Sequence, residues 1–362
     1  MTIPREYFQP SQYLIVSTII GAICALIVMS KNNKQLFKGT SNNIFPFALT
    51  VLLIYYIGRR PITYFADTWL YTMMFNMVQS GEWQEIPSYE PFWTWFHGIF
   101  VDLGSASDWL LGIATLYVGG MALATYRWLP RHFFIGLVFC ITSFSFYAFA
   151  TNGIRSGMAS SIAMVAISLV DTKRRDFVAT IIAIALLYLA IMTHSSMIIP
   201  AGAALVSYFM RSTKYSFKIW ISCLILGLLF NSSFQGLFSW LSEDDRMASY
   251  SMLQQSAQYT KMYFRWDFVA YSALPILLGY YATKKKKIVD GKYIFLLNTY
   301  IIANAFWLLI CEIAYSNRFA YLSWFLYPIV VAYPLCKFEI FKNQGPLLGL
   351  ILVGLMILTI VL

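Results

Sequence analysis

The sequence predicts an all-α, polytopic integral membrane protein of about 12 transmembrane helices, with interfacial helices in its outer loops. Three observations predict it. Hydrophobic residues make up 59% of the 362-residue chain and charged residues only 12%, where a soluble domain carries about 25%. Mean hydropathy is +0.64. The apolar residues gather into runs near bilayer length, parted by short charged stretches.

Taken in order, the runs cover roughly 13–30, 44–58, 106–126, 133–150, 154–170, 177–193, 195–210, 219–236, 267–283, 293–311, 319–336 and 346–362. Several fall short of the roughly 20 residues that cross a bilayer, so their flanks are expected to extend them. The first run ends in Lys31 and Lys34 with no small-residue cleavage site, which predicts a retained helix rather than a signal peptide. Residues 1–362 read as one transmembrane domain. Cys24, Cys140, Cys223, Cys311 and Cys336 all lie inside apolar runs and form no CxxC, so neither disulfides nor a zinc site is implied.

Charge orients the runs. Most of the 26 Lys and Arg residues fall in alternate loops, including Lys173–Arg175, Lys284–Lys287 and Lys337. By the positive-inside rule these loops are cytoplasmic and both termini lie outside. The net charge of +10 therefore reports topology and is no sign of nucleic-acid binding. The outer side carries two long segments, about 58–105 and 237–266. The first holds an amphipathic stretch with Phe65, Trp69, Met73 and Phe75/Met77 at helical spacing. An aromatic stretch, EPFWTWFHGIF, follows. Both suit helices lying in the membrane interface.

The polar candidates gather on that outer side, and each has a structural reading beside a functional one. Asp67, Glu90 and Asp267 precede or open predicted helices and are candidate caps. His194 ends one run and precedes Ser195. Gly153 and Gly157 form a GxxxG spacing that lets helices pack closely. Glu243, Asp244 and Asp245 form an acidic turn, with a divalent cation site as the alternative. Arg59, Arg60, Arg155, Arg265 and Arg318 all fall at outer ends of runs, where Lys261 is the one lysine. Snorkelling accepts Lys as readily as Arg. The planar guanidinium fork suits bidentate phosphate contacts, so this set points to an anionic lipid headgroup.

The segments RRPITYFADTWLY, NGIRSGMASSIAM, LAIMTHSSMII, FRWDFVAYSALPILLGYY and NTYIIANAFWLLICEIAYSNRFAYLSWFLYPIVVAYPL resemble, in this order, the EpsG-type branch of the Wzy polysaccharide polymerases, most of all members from Bacteroidota. The resemblance runs from about Arg59 to Leu335. Ser156 follows Arg155 where the family often has Gln. The resemblance implies a multi-helix fold like that of lipid-donor (GT-C-like) glycosyltransferases. It implies polymerisation of oligosaccharide repeat units on undecaprenyl pyrophosphate, which serves as both donor and acceptor carrier. The place would be the periplasmic face of the bacterial inner membrane. Membrane lipids, a chain-length regulator and a flippase would be its companions. No cofactor and no nucleic acid are implied.

Under that resemblance Arg155, Arg265 and Arg318, with Arg59 or Arg60, would hold the leaving pyrophosphate. His194, Asp67 or Glu90 would serve as general base. Tyr71, Trp93, Trp95 and Asp267 would contact sugars. Two other readings stay open: an O-antigen ligase-like transferase, and a lipid-linked glycan flippase. A flippase is expected to carry internal repeats, and no convincing repeat is found.

Overall fold

Backbone groups in lipid must satisfy one another, so apolar runs fold as helices. A computed structural model describes residues 10–40, 42–86, 90–172, 176–237, 264–312 and 316–361. In chain order the helices are α1 (Pro10–Met29), α2 (Asn33–Lys38), α3 (Ile44–Gly58), α4 (Ala66–Gln79), α5 (Pro91–Leu103), α6 (Ala106–Trp128), α7 (Phe133–Ile141), α8 (Phe144–Thr151) and α9 (Ile154–Leu169). They continue as α10 (Phe177–Thr193), α11 (Ile198–Phe209), α12 (Lys214–Leu237), α13 (Trp266–Tyr280), α14 (Gly291–Leu309), α15 (Ser316–Trp324), α16 (Tyr327–Lys337) and α17 (Gln344–Val361). Side chains mark several starts. Asp176 accepts from the Ala179 amide at 3.1 Å, and Asp290 from the Tyr293 amide at 2.8 Å.

Each expected run is helical, yet fewer reach spanning length than twelve. Among the described residues, 106–128, 291–309 and 317–337 are long and apolar enough to cross a membrane. A fourth comes from α7 and α8 if taken as one span broken by a 70° bend. The expected single run at 133–150 is thus two helices. At the break the Thr142 carbonyl accepts from Thr359 Oγ1 at 2.7 Å, and Ser143 Oγ turns back to the Cys140 carbonyl at 2.7 Å. Hydroxyl partners of this kind let a helix break inside an apolar environment.

The chain divides into two compact units, 1–197 with 331–362, and 198–330. In the first, α6 packs on α9 and α3, α9 on α10, and α1 on α17. Gly157 brings α9 onto α8: a Cβ there would fall 2.7 Å from the Phe149 carbonyl oxygen. Gly345 and Gly349 bring α17 onto α1, where added Cβ atoms would lie 2.6 Å from the Lys31 carbonyl and 2.9 Å from that of Ala25.

In the second unit α14 packs on α11, α12 and α15. Its core is polar at one level. Asn304 accepts from the Trp220 indole at 2.8 Å and donates to Ser272 Oγ and Ser323 Oγ at 3.0 Å each. Trp324 also donates to Ser272 Oγ, at 2.8 Å.

Candidate functional site

The outer segment 58–105 folds as the two expected helices, α4 and α5, but α4 buries another stripe than expected. Thr68, Tyr71, Thr72 and Phe75 face inward, while Trp69 is 50% exposed. Helical spacing of 3 and 4 permits either stripe, and the neighbouring aromatic residues decide between them. Tyr71 and Phe75 of α4, Trp93 and His97 of α5 and Trp109 of α6 pack ring against ring, with centroids 5.1–6.4 Å apart. Burial pushes the His97 pKa down to about 4. Its Nε2, like the indole nitrogens of Trp93 and Trp109, is buried without a hydrogen-bond partner among the described residues.

This cluster fixes α5, and α5 starts at Glu90. Pro91 occupies the first helical position, but the Glu90 side chain does not cap the helix. It reaches instead to the ends of two other helices. Oε2 accepts from Arg155 at 2.7 Å. Oε1 lies 3.4 Å from His194 Nδ1 and accepts from the Ser195 amide and hydroxyl at 3.3 Å each. Arg155 stands in the first turn of α9, and His194 is the C-terminal cap of α10. Arg155 is 6% exposed and Glu90 7%. So two of the candidate bases, Glu90 and His194, and one candidate phosphate ligand, Arg155, form one cluster, with Glu90 and Arg155 buried and His194 half-buried.

The chemistry of the cluster follows from its charges. A guanidinium beside the positive end of α9 favours an anion there, and Glu90 supplies it. Breaking such a buried pair by removing one partner costs about 3–5 kcal/mol. A neutral imidazole donating from Nδ1 to a carboxylate presents Nε2 as an acceptor.

The remaining candidates sit elsewhere. Arg59 donates to Ser107 Oγ at 2.7 Å and pairs with Asp108 at 2.9 Å. Arg60 is fully buried: it donates to the Ile57 carbonyl at 2.8 Å and to Thr68 Oγ1 at 2.9 Å, and Thr68 Oγ1 donates to the Thr151 carbonyl at 2.7 Å. It braces α3, α4 and α8 from within. Asp67 is half-buried in the first turn of α4 and does not cap it. Tyr71 and Trp93 lie buried inside the aromatic cluster, whereas Trp95 is 60% exposed. Arg265 and Asp267 pair with each other in the second unit, at 2.6 Å, and Arg318 is exposed on α15. Glu243, Asp244 and Asp245 lie outside the described residues. Among the described residues no three His, Cys, Asp or Glu side chains come together as a metal set.

Ser195 escaped the sequence reading, although it stands beside His194 in the quoted LAIMTHSSMII. Its polarity at a helix end is the signal that could have found it. No curated protein and no solved structure matches the chain. One family model does, described as the EpsG family, over residues 43–362, which take in the aromatic cluster and all four members of the Glu90 site. The chain belongs to the EpsG family.

Proposed function

We propose that this membrane protein polymerises oligosaccharide repeat units carried on undecaprenyl pyrophosphate, at the periplasmic face of the bacterial inner membrane. The growing glycan leaves its lipid carrier and joins the incoming lipid-linked unit. The observation behind this reading is the cluster of buried Arg155 and Glu90 with half-buried His194, in a chain of the EpsG family. On the positive-inside reading that cluster lies at the outer membrane edge.

Departure of a lipid pyrophosphate builds negative charge on its oxygens. Preorganised cations aimed at that charge supply a large share of rate enhancement. Arg155 and the N-terminus of α9 are both positive and both fixed by packing. A guanidinium has five N–H donors, so one fork can hold Glu90 and a phosphate oxygen together. Arg59 is proposed as a further phosphate contact, and Arg265 and Arg318 as phosphate-binding groups of the second unit taken by itself, each to be tested by its own alanine variant.

The test is turnover of a defined undecaprenyl-pyrophosphate-linked repeat unit by purified protein, with products resolved by length. A ladder of lengthened chains is expected. Unlengthened substrate would overturn the reading. Transfer of glycan to lipid A would favour the ligase-like alternative, and passage across a vesicle without lengthening would favour a flippase. Arg155→Ala is expected to lower the rate by about 10²–10³-fold. Arg155→Lys keeps the charge and loses the fork; full activity in that variant would reduce Arg155 to a plain charge.

A further inference from the structure

Sequence chemistry left His194 and Asp67 about equal as candidates for the base, with Glu90 as a third. The geometry separates two of them. Both Glu90 oxygens are already accepting: Oε2 from Arg155, Oε1 from the Ser195 amide and hydroxyl with His194 Nδ1 beside it. A carboxylate so held is an anchor for donors and is poorly placed to take a proton from a sugar hydroxyl. An imidazole whose Nδ1 proton points at a carboxylate is held in one tautomer, with Nε2 basic and the resulting imidazolium stabilised.

We infer that His194 Nε2 is the general base of the transfer, and that Glu90 is its positioning residue, held in place by Arg155 and Ser195. This rests on the polymerase reading above. In the step assigned, the acceptor hydroxyl gives its proton to Nε2 as its oxygen bonds to the donor's anomeric carbon. The bond from that carbon to the pyrophosphate oxygen breaks, and the lipid pyrophosphate leaves with the electron pair. The proton then passes from His194 to water.

Among the described residues, two charged groups meet at the imidazole. Glu90 comes from the turn before α5 and Arg155 from α9. α9 carries no other charged residue, α10 carries none, and α5 adds only His97 and Asp102, about two and three turns further along. Glu90, 3.4 Å from Nδ1, is the charge assigned here to tune the ring.

The experiment is the pH–rate profile of polymer formation at saturating lipid-linked substrate. Glu90→Gln keeps acceptor oxygen and size but removes the charge. The expected result is a fall in kcat of about 10²-fold or more with KM little changed, and an acid limb displaced to lower pH. Glu90→Asp is expected to recover part of both. His194→Gln is expected to abolish the limb. A Glu90→Gln variant that loses rate with its acid limb unmoved would leave Glu90 as a structural prop and overturn the inference. So would a His194→Gln variant at full rate.

If Glu90→Gln fails to fold, 15N NMR of the histidine rings in the wild-type protein decides: a neutral His194 protonated at Nδ1 supports the inference, and one protonated at Nε2 overturns it. Wild-type protein that moves glycan to a different acceptor, yet shows the Glu90→Gln limb shift, would sink the polymerase reading and leave the base assignment standing.

Discussion

Arg155 sits one residue into α9, where the exposed amides of the first turn already carry partial positive charge. An unpaired cation there would be doubly unfavourable, and Glu90 offsets both terms at 2.7 Å. Removing either partner breaks this buried ion pair. Arg155→Met and Glu90→Leu are each expected to destabilise the protein by about 3–5 kcal/mol, and the double variant by less than their sum. Unfolding in mixed detergent, read on all four proteins, measures that coupling. His97 gives a second residue-scale prediction. Burial lowers its pKa to about 4 from an ordinary value of 6.5. The unfolded chain therefore binds a proton between those values that the folded chain refuses. Stability is full above pH 6.5 and declines as pH falls towards 4. His97→Phe is expected to flatten that decline in melting curves, whatever it does to the absolute melting temperature. Sequence found Glu90, Arg155 and His194 one at a time. It could not join them, because residues 90, 155 and 194 meet only once three helix ends converge.

Helices are where the sequence was most legible. The limits of α3 and α10 match the apolar runs, since charge and Asn or Asp stand at their edges. The bend between α7 and α8 was not legible, because FFIGLVFCITSFSFYAFAT is apolar throughout and only its Thr and Ser residues hint at a break. Nor was the choice of stripe on α4, which depends on rings contributed by α5 and α6. Two predictions belong at this scale. Gly157→Ala drives a Cβ into the Phe149 carbonyl and is expected to cost about 1–3 kcal/mol, with Arg155 displaced and polymer yield reduced. In the second unit, Asn304→Leu strips partners from Trp220, Ser272 and Ser323 together. Each bond of this kind in a membrane is worth about 0.6 kcal/mol, at most about 1.7. Loss of thermal stability greater than any single bond's worth is expected, measured by tryptophan emission on heating.

For the whole molecule, the sequence announced a helical membrane protein of this family, and among the described residues three helices, or four with the bent pair, have the length and apolarity to cross a membrane. Apolar run length was a poor guide because breaks and kinks at 142–143, Phe230 and 281–285 shorten the regular helix within long apolar stretches. The pairing of α1 with α17 was written in the sequence and went unread. Ser17, Gly21 and Ala25 recur every four residues on the buried side of α1, and Gly345 and Gly349 do so on α17. At the shared end, Asn33 Nδ2 donates to the carbonyls of Phe341 and Lys342 at 3.1 and 2.8 Å, and Asn33 Oδ1 accepts from the Gln344 amide at 3.2 Å. Gly349→Leu is expected to separate the two helices, seen as new accessibility of Cys24 to a membrane-permeant thiol reagent.

That pairing has a consequence in time. The ribosome makes α1 before α17, more than 300 residues apart. At about 5–20 residues per second, elongation between them takes about a quarter of a minute to a minute. Throughout that interval the small-residue face of α1 stands in the bilayer without the helix it is cut to fit. The unit closes only after α17 has been made, so a chain stalled before it exposes the same face to the cell's membrane quality control.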